Sequence, residues 1–106
     1  MIDLDDIKDL ARRIARDFKP QRILLFGSHA RAEAGPDSDV DLLVVMPFTG
    51  RPVDKSVEIR IKSRPAFAVD LLVRTPEQIQ QRLDMGDDFI RGILQCGKIL
   101  YEAAHR

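Results

Sequence analysis

The chain has 106 residues, enough for one domain built around one hydrophobic core. Hydrophobic residues make up 44%, so a packed fold is expected, and no apolar run approaches the roughly 18 residues of a membrane span. Lys and Arg balance Asp and Glu at 17 each, so the chain lacks the broad positive field that direct, non-specific nucleic-acid binding needs. The single cysteine, Cys96, excludes an internal disulfide and a cysteine zinc cluster, and is most simply a small buried residue. This fits a reducing cytosol, so we expect a cytoplasmic protein.

Hydrophobic spacing and turn residues divide the chain into helices and strands. Pro20, Pro47 and Pro65 mark boundaries, and Thr75-Pro76 begins a helix with capping-box spacing. In chain order we predict a helix over Asp3–Phe18, a strand over Arg22–Phe26, a short helix capped by Ser28 and running to about Ala34, a strand over Asp39–Met46, a helix from about Val53 to Ser63, a strand over Ala66–Val73, a helix from Thr75 to about Met85, a helix from Asp87 or Asp88 to Gly97, and a short edge strand over Lys98–Tyr101.

The strands lack a clean apolar–polar alternation, which favours a sheet covered on both faces. The helix between the second and third strands, whose expected apolar face is Val53, Val57 and Ile61, suits a parallel pairing of these two strands. We therefore predict a mixed sheet with the first three strands in the order 1-2-3. The sequence Val-Asp-Leu-Leu-Val occurs at 40–44 and again at 69–73, but the flanking residues do not match, so it does not indicate a duplication.

Three aspartates on the predicted strands are candidate metal ligands. Asp39 and Asp41 lie two residues apart, so their side chains share a face with Cα atoms about 6.6 Å apart. Asp70 would join them at similar depth if the strands are parallel. Such carboxylates repel one another without a cation, and Mg²⁺ is typically held by carboxylates plus substrate phosphates. The trio therefore predicts a two-magnesium site, and the alternative is that two of the aspartates only cap strand ends.

Gly27 and Ser28 lie where a predicted strand turns into a helix, a typical place for a phosphate. Glycine lets the backbone approach a phosphate closely, and the helix start offers free N–H groups beside the serine hydroxyl. Arg31, one turn further on, could reach the same phosphates. The full spacing, Gly-Ser-x10-Asp-x-Asp, should arise by chance about once per thousand chains of this length.

This spacing resembles the nucleotidyltransferase superfamily that shares its palm with DNA polymerase beta, and the short length resembles the minimal nucleotidyltransferases. The family pattern, Gly-Ser-x-Ala-Arg-Gly and Ser-Asp-x-Asp-Leu, matches Gly27-Ser28-His29-Ala30-Arg31-Ala32 and Ser38-Asp39-Val40-Asp41-Leu42. The resemblance covers about Arg22 to Val73, and Ala32 departs from it by standing where glycine is usual. It implies an α/β (α+β) fold, a polymerase beta-like palm with a small mixed sheet flanked by helices, forming a single domain over 1–106.

The same resemblance implies an activity and a partner. In the family, the residues matching Asp39 and Asp41 bind two Mg²⁺ ions, the one matching Asp70 completes the site, and the Gly-Ser pair holds the triphosphate. Minimal nucleotidyltransferases are commonly antitoxins of HEPN ribonuclease toxins, and some transfer AMP from ATP onto a tyrosine of the toxin. The predicted palm uses nearly the whole chain, so another protein could supply the missing wall of the site. Assembly with itself or with the partner stays open.

Two other functions remain open at this point. The protein could be an antitoxin that blocks its partner by contact alone, or a nucleotidyltransferase subunit that modifies a small molecule.

Several side chains also have two interpretations. His29 either touches the ligand or is a partly exposed helix residue, and His105 and Arg106 are expected to fray. The aromatic side chains are core residues or partner contacts, namely Phe48, Phe67, Phe89 and Tyr101.

Overall fold

The fold is a four-stranded sheet with two helices on each face, as described for residues 2–104 by a computed structural model. The expectation about His105 and Arg106 lies outside these residues. The elements in chain order are α1 (Leu4–Phe18), β1 (Arg22–Phe26), β2 (Val40–Val45), α2 (Pro52–Ser63), β3 (Val69–Arg74), α3 (Pro76–Asp84), α4 (Asp88–Cys96) and β4 (Lys98–Glu102). None of the described helices is long and apolar enough to cross a membrane.

The sheet has the strand order β3-β2-β1-β4. The α2 crossover joins β2 to β3 in parallel, whereas β1 is antiparallel to both β2 and β4. The predicted order 1-2-3 and the parallel pairing are confirmed, and the short last strand forms the edge beside β1. The predicted mixed sheet flanked by helices is likewise confirmed.

Alternate residues of the strands enter two cores, because successive side chains of a strand point to opposite faces. Ile23, Leu25, Leu42 and Val44 pack against α1 and α2. The opposite core, formed with α3 and α4, holds Leu24, Leu43, Val45, Ile79, Ile90 and Ile93. Both faces are therefore covered, as the unbroken apolar runs predicted.

Helix α2 differs from its expected orientation. Its buried residues are Ile59 and Ser63, whereas Val53, Val57 and Ile61 have exposed fractions of 56%, 48% and 69%. The face of α2 that these three apolar residues mark is therefore exposed, and the opposite face, with Ile59, enters the core.

The segment after β1 is a turn, so the predicted helix from Ser28 to Ala34 is wrong. The Gly27 carbonyl accepts hydrogen bonds from the amides of Ala30 (3.1 Å) and Arg31 (3.3 Å), and the Ser28 carbonyl accepts one from Glu33 (2.9 Å). The chain then leaves the helical conformation at Ala32, whose φ is 58°. A helix this short is stable only when an apolar face packs against the core, and this segment has no such buried face. Strand β2 also begins one residue later than predicted, which leaves Asp39 in the loop before it.

The left-handed backbone at Ala32 predicts that glycine is tolerated there. Left-handed backbone costs a non-glycine residue about 1–2 kcal/mol, which Ala32→Gly would remove. Glycine also makes the unfolded chain more flexible, which lowers the free energy of unfolding by up to about 1 kcal/mol. Chemical denaturation should therefore give this variant a free energy of unfolding equal to or up to about 2 kcal/mol above that of the natural chain. Ala34→Gly, where φ is not positive, is the control and should lose about 0.5–1 kcal/mol. Equal losses in both variants would contradict the assignment.

Candidate functional site

The two copies of Val-Asp-Leu-Leu-Val pair in register, and this brings two of the candidate carboxylates side by side. Asp41 of β2 is the register partner of Asp70 of β3. Partner residues on neighbouring strands point to the same face with strands about 4.8 Å apart. Asp41 shares that face with Leu43, so both carboxylates project on the side of α3 and α4. Asp41 is half-buried and Asp70 is exposed.

Asp39 completes an acidic cluster at this edge of the sheet. It is exposed and lies two residues before Asp41. Burial raises the pKa of Asp41, and the negative charges of Asp70 and Asp39 raise this pKa further, while the nearby His29 and Arg31 lower it. The charges of the other two carboxylates therefore act on Asp41. Within residues 2–104, however, no three acidic, histidine or cysteine side chains converge as closely as a bound metal ion would hold them. The cluster is loose rather than a closed cage.

Gly27 is fixed as glycine by two constraints. Its φ is 76°, a left-handed conformation that side chains disfavour. A Cβ at this position would also overlap the Oδ2 atom of Asp41 and lie 3.2 Å from its Cγ atom. The carboxylate of Asp41 therefore packs directly against the Gly27 backbone, which places the turn and the acidic cluster in contact.

The Gly27–Ala32 turn offers groups that suit an anion. The amides of Ser28 and His29 donate none of the backbone hydrogen bonds found between the described residues, so both N–H groups are available. Arg31 lies on the same turn, but its Nε donates to Oε2 of Glu33 at 3.1 Å. Both side chains of this ion pair are exposed, and such pairs contribute only about 0–1 kcal/mol. Phosphate oxygens could therefore replace Glu33 at little cost.

His29 has a position that the sequence did not reveal. Its ring is half-buried, and its Nε2 atom donates to the Ser38 carbonyl at 3.2 Å. This bond ties the turn to the residue immediately before Asp39. His29 is partly exposed, as one of the two interpretations expected, but it lies in a turn and not in a helix. Only the closeness of His29 to Gly27 in the chain hinted at this role.

A cleft of about 720 Å³ separates the turn from α4. One side is bordered by Gly27, Arg31 and Asp41, and the other by residues of α4. Phe89 of α4 is 59% exposed, and its ring meets that of Phe26 edge to face, with centroids 5.8 Å apart. The other three aromatic candidates pack against the α1 and α2 core, namely Phe48, Phe67 and Tyr101.

The cleft also corrects the expectation for Cys96, which is exposed at its border rather than buried. Sequence reasoning missed the part played by α4. The available signal was a glycine, Gly92, in the middle of a helix. The spacing of Phe89 from the other apolar residues of α4 gave no sign that its ring is exposed.

Comparisons of the whole chain with known proteins give two sequence matches. A model of the nucleotidyltransferase domain matches residues 7–100. A protein of Methanocaldococcus jannaschii, named "Putative protein adenylyltransferase MJ0141", is 32% identical over 72 residues, which cover 66% of this chain and 73% of that protein.

Three solved structures share the fold. A protein from Sulfolobus solfataricus described as "a putative nucleotidyltransferase" has 25% identity and a TM-score of 0.56, covering 74% of this chain and 71% of that one. A toxin–antitoxin structure with AMP-PNP has 23% identity and a TM-score of 0.59, covering 91% and 73%. A mutant of the toxin–antitoxin pair MntA-HpeT has 21% identity and a TM-score of 0.55, covering 91% and 73%. At these identities the last two show the fold alone.

The family resemblance found in the motifs is thus confirmed by a match along almost the whole length. The chain belongs to the nucleotidyltransferase domain family and is a nucleotidyltransferase.

Proposed function

We propose that this protein transfers AMP from ATP to a hydroxyl group of a partner HEPN toxin, most simply a tyrosine, and thereby acts as its antitoxin. The observation that carries the proposal is the register pairing of Asp41 with Asp70 beside the Gly27 turn. The M. jannaschii relative bears the name of a protein adenylyltransferase, and two fold neighbours are toxin–antitoxin structures. Both facts favour a protein acceptor over a small molecule.

The acidic cluster fits magnesium in its chemistry. All three candidate donors are carboxylates. The pKa of Asp41 is raised first by its burial and then by the negative charges of Asp70 and Asp39, which His29 and Arg31 offset only in part. A loose cluster suits Mg²⁺, because each ion usually takes one or two carboxylates and completes its shell with water and substrate phosphates. Asp39 and Asp41 would hold two Mg²⁺ ions, with Asp70 as a further ligand of one. When bound, the ions would neutralise charge on the phosphates and on the leaving group.

The remaining steps belong to the protein's own groups. The free amides of the turn and the Ser28 hydroxyl hold the triphosphate, and Arg31 leaves Glu33 to join them. Asp70 is the exposed acid of the register pair, so it accepts the proton of the acceptor hydroxyl. The acceptor oxygen forms a bond to the α-phosphorus, the bond from that phosphorus to the bridging oxygen breaks, and pyrophosphate leaves.

Removing two of the carboxylates should abolish the transfer. We expect Asp39→Ala/Asp41→Ala to show no incorporation of labelled AMP into the co-expressed toxin. Without these carboxylates the Mg²⁺ ions would not be held, and the negative charge of the phosphates would not be neutralised. Mass spectrometry of the toxin should find AMP on a tyrosine only with the unaltered antitoxin. Asp37→Ala is the matched control, since it removes an exposed aspartate from the same loop.

Two results would count against this reading. Full transfer by the double variant would remove these aspartates from the reaction. Neutralisation of an unmodified toxin by the double variant would identify a binding antitoxin instead.

The charge of Asp41 predicts a stability effect that depends on pH and magnesium. Its folded-state pKa lies above the ordinary value of 3.8, so the charged form costs stability as the pH rises through and above that pKa. Asp41→Asn should therefore melt at a higher temperature than the natural chain at pH 7 without Mg²⁺, and the difference should vanish below pH 3.8. Mg²⁺ should raise the melting temperature of the natural chain more than that of the variant. Asp37→Asn serves as control, and a destabilised Asp41→Asn at pH 7 would disprove the charge argument.

Gly50 is a control for Gly27, because its φ is also positive but no other atoms crowd the place where a Cβ would stand. Gly50 has a φ of 88°, and a Cβ there would meet nothing within 4 Å. Gly50→Ala should thus cost about 1–2 kcal/mol in unfolding free energy and keep its activity. Gly27→Ala should cost more and lose AMP transfer, because its Cβ displaces the Asp41 carboxylate. Denaturation curves and labelled transfer measure both, and equal behaviour of the two variants would rule out the contact.

A further inference from the structure

We propose that the cleft between the Gly27–Ala32 turn and α4 binds the nucleoside part of the substrate, with the base resting on Phe89 and the open position at Gly92 providing its space. This inference rests on the proposed function, because it assumes that the triphosphate lies on the turn. It adds a binding site for a ribose and a flat aromatic base.

Continuity with the acidic cluster is the first argument. Gly27, Arg31 and Asp41 form one border of the cleft and are also the groups beside which the phosphates would lie. A nucleotide with its α-phosphate next to Asp41 must place its ribose within a few ångströms of that carboxylate. The cleft is the concave space that begins there, and its volume of about 720 Å³ is typical of small-molecule sites.

A larger groove of about 1010 Å³ lies between α1 and α2. It is bordered mostly by charged side chains, together with Val57 and Ile61, and none of the three candidate carboxylates borders it. It therefore offers no path from the acidic cluster to a base.

The apolar walls of the cleft are the second argument. Phe26, Phe89 and Ile93 border it, and Phe26 is the β1 register partner of Asp41. Phe89 is more than half exposed although it is a large apolar residue, and its edge-to-face contact with Phe26 holds the ring in place. A supported, exposed aromatic ring is a surface on which a base can stack.

Gly92 is the third argument. Glycine in a helix interior is less stable than alanine, so an unneeded one weakens α4. Here the backbone is not left-handed, and a Cβ would meet nothing within 4 Å. Neither conformation nor packing therefore requires glycine, whereas any larger side chain would project into the cleft that Gly92 borders. The missing side chain keeps this space open for a ligand.

The test separates the nucleoside from the phosphates. Calorimetry with Mg²⁺ would measure the binding of ATP and of inorganic tripolyphosphate to each variant. Gly92→Leu should weaken ATP binding at least tenfold and leave tripolyphosphate binding unchanged. Phe89→Ala should weaken ATP binding about tenfold, again without effect on tripolyphosphate. Gln95→Leu places the same side chain on the same helix outside the cleft and should bind both ligands normally.

Folding is checked by the melting temperature, which Gly92→Leu should not lower because leucine favours helix. Gly92→Ala is the smaller substitution if leucine disturbs the fold, and it should weaken ATP binding less. Normal ATP binding by both Gly92→Leu and Phe89→Ala would overturn the inference. So would normal ATP binding by Gly92→Leu with loss of transfer, since the cleft would then hold the acceptor. If the natural chain binds neither ligand, the proposed function fails and this site with it.

Discussion

The register between β2 and β3 is the constraint on which the candidate site depends. Side chains alternate between faces, so a slip of one residue would turn Asp70 toward α1 and α2 while Asp41 stayed on the side of α3 and α4. Val69 and Val73 pack with Val40 and Leu42 in the core on the side of α1 and α2, and they fix the register because a slip of β3 would carry them out of this core. The core of one face thus sets the positions of the carboxylates on the other.

The same arrangement costs stability in the absence of ligand. Asp41 is half-buried between two other carboxylates and against the backbone of Gly27, and its raised pKa records the cost. The two hydrophobic cores, one on each face of the sheet, offset this loss of stability. A fold with only one covered face would have less to offset such a concentration of like charge.

Much of the fold was predictable because its signals are local. Strand β1 matches the predicted residues, and the Thr75-Pro76 start of α3 has its capping box, with the Thr75 side chain bonded to the Gln78 amide. The pairing of Asp41 with Asp70 followed from one parallel crossover. The errors arose where contacts between distant parts of the chain, or the backbone angle of a single residue, determine the local structure. The turn after Ser28 depends on the left-handed Ala32, and α4 borders the cleft only because the chain returns as β4 beside β1. No periodicity in the sequence indicates either.

The exposed thiol at the end of α4 makes the cleft accessible to spectroscopy. Cys96 is the only cysteine in the sequence, and it follows Gly92 by one helical turn on the same side of the helix. A thiol-reactive fluorophore would therefore attach at a single defined place bordering the cleft. Its emission would report, in real time and without radioactivity, when a solute enters and leaves this part of the molecule.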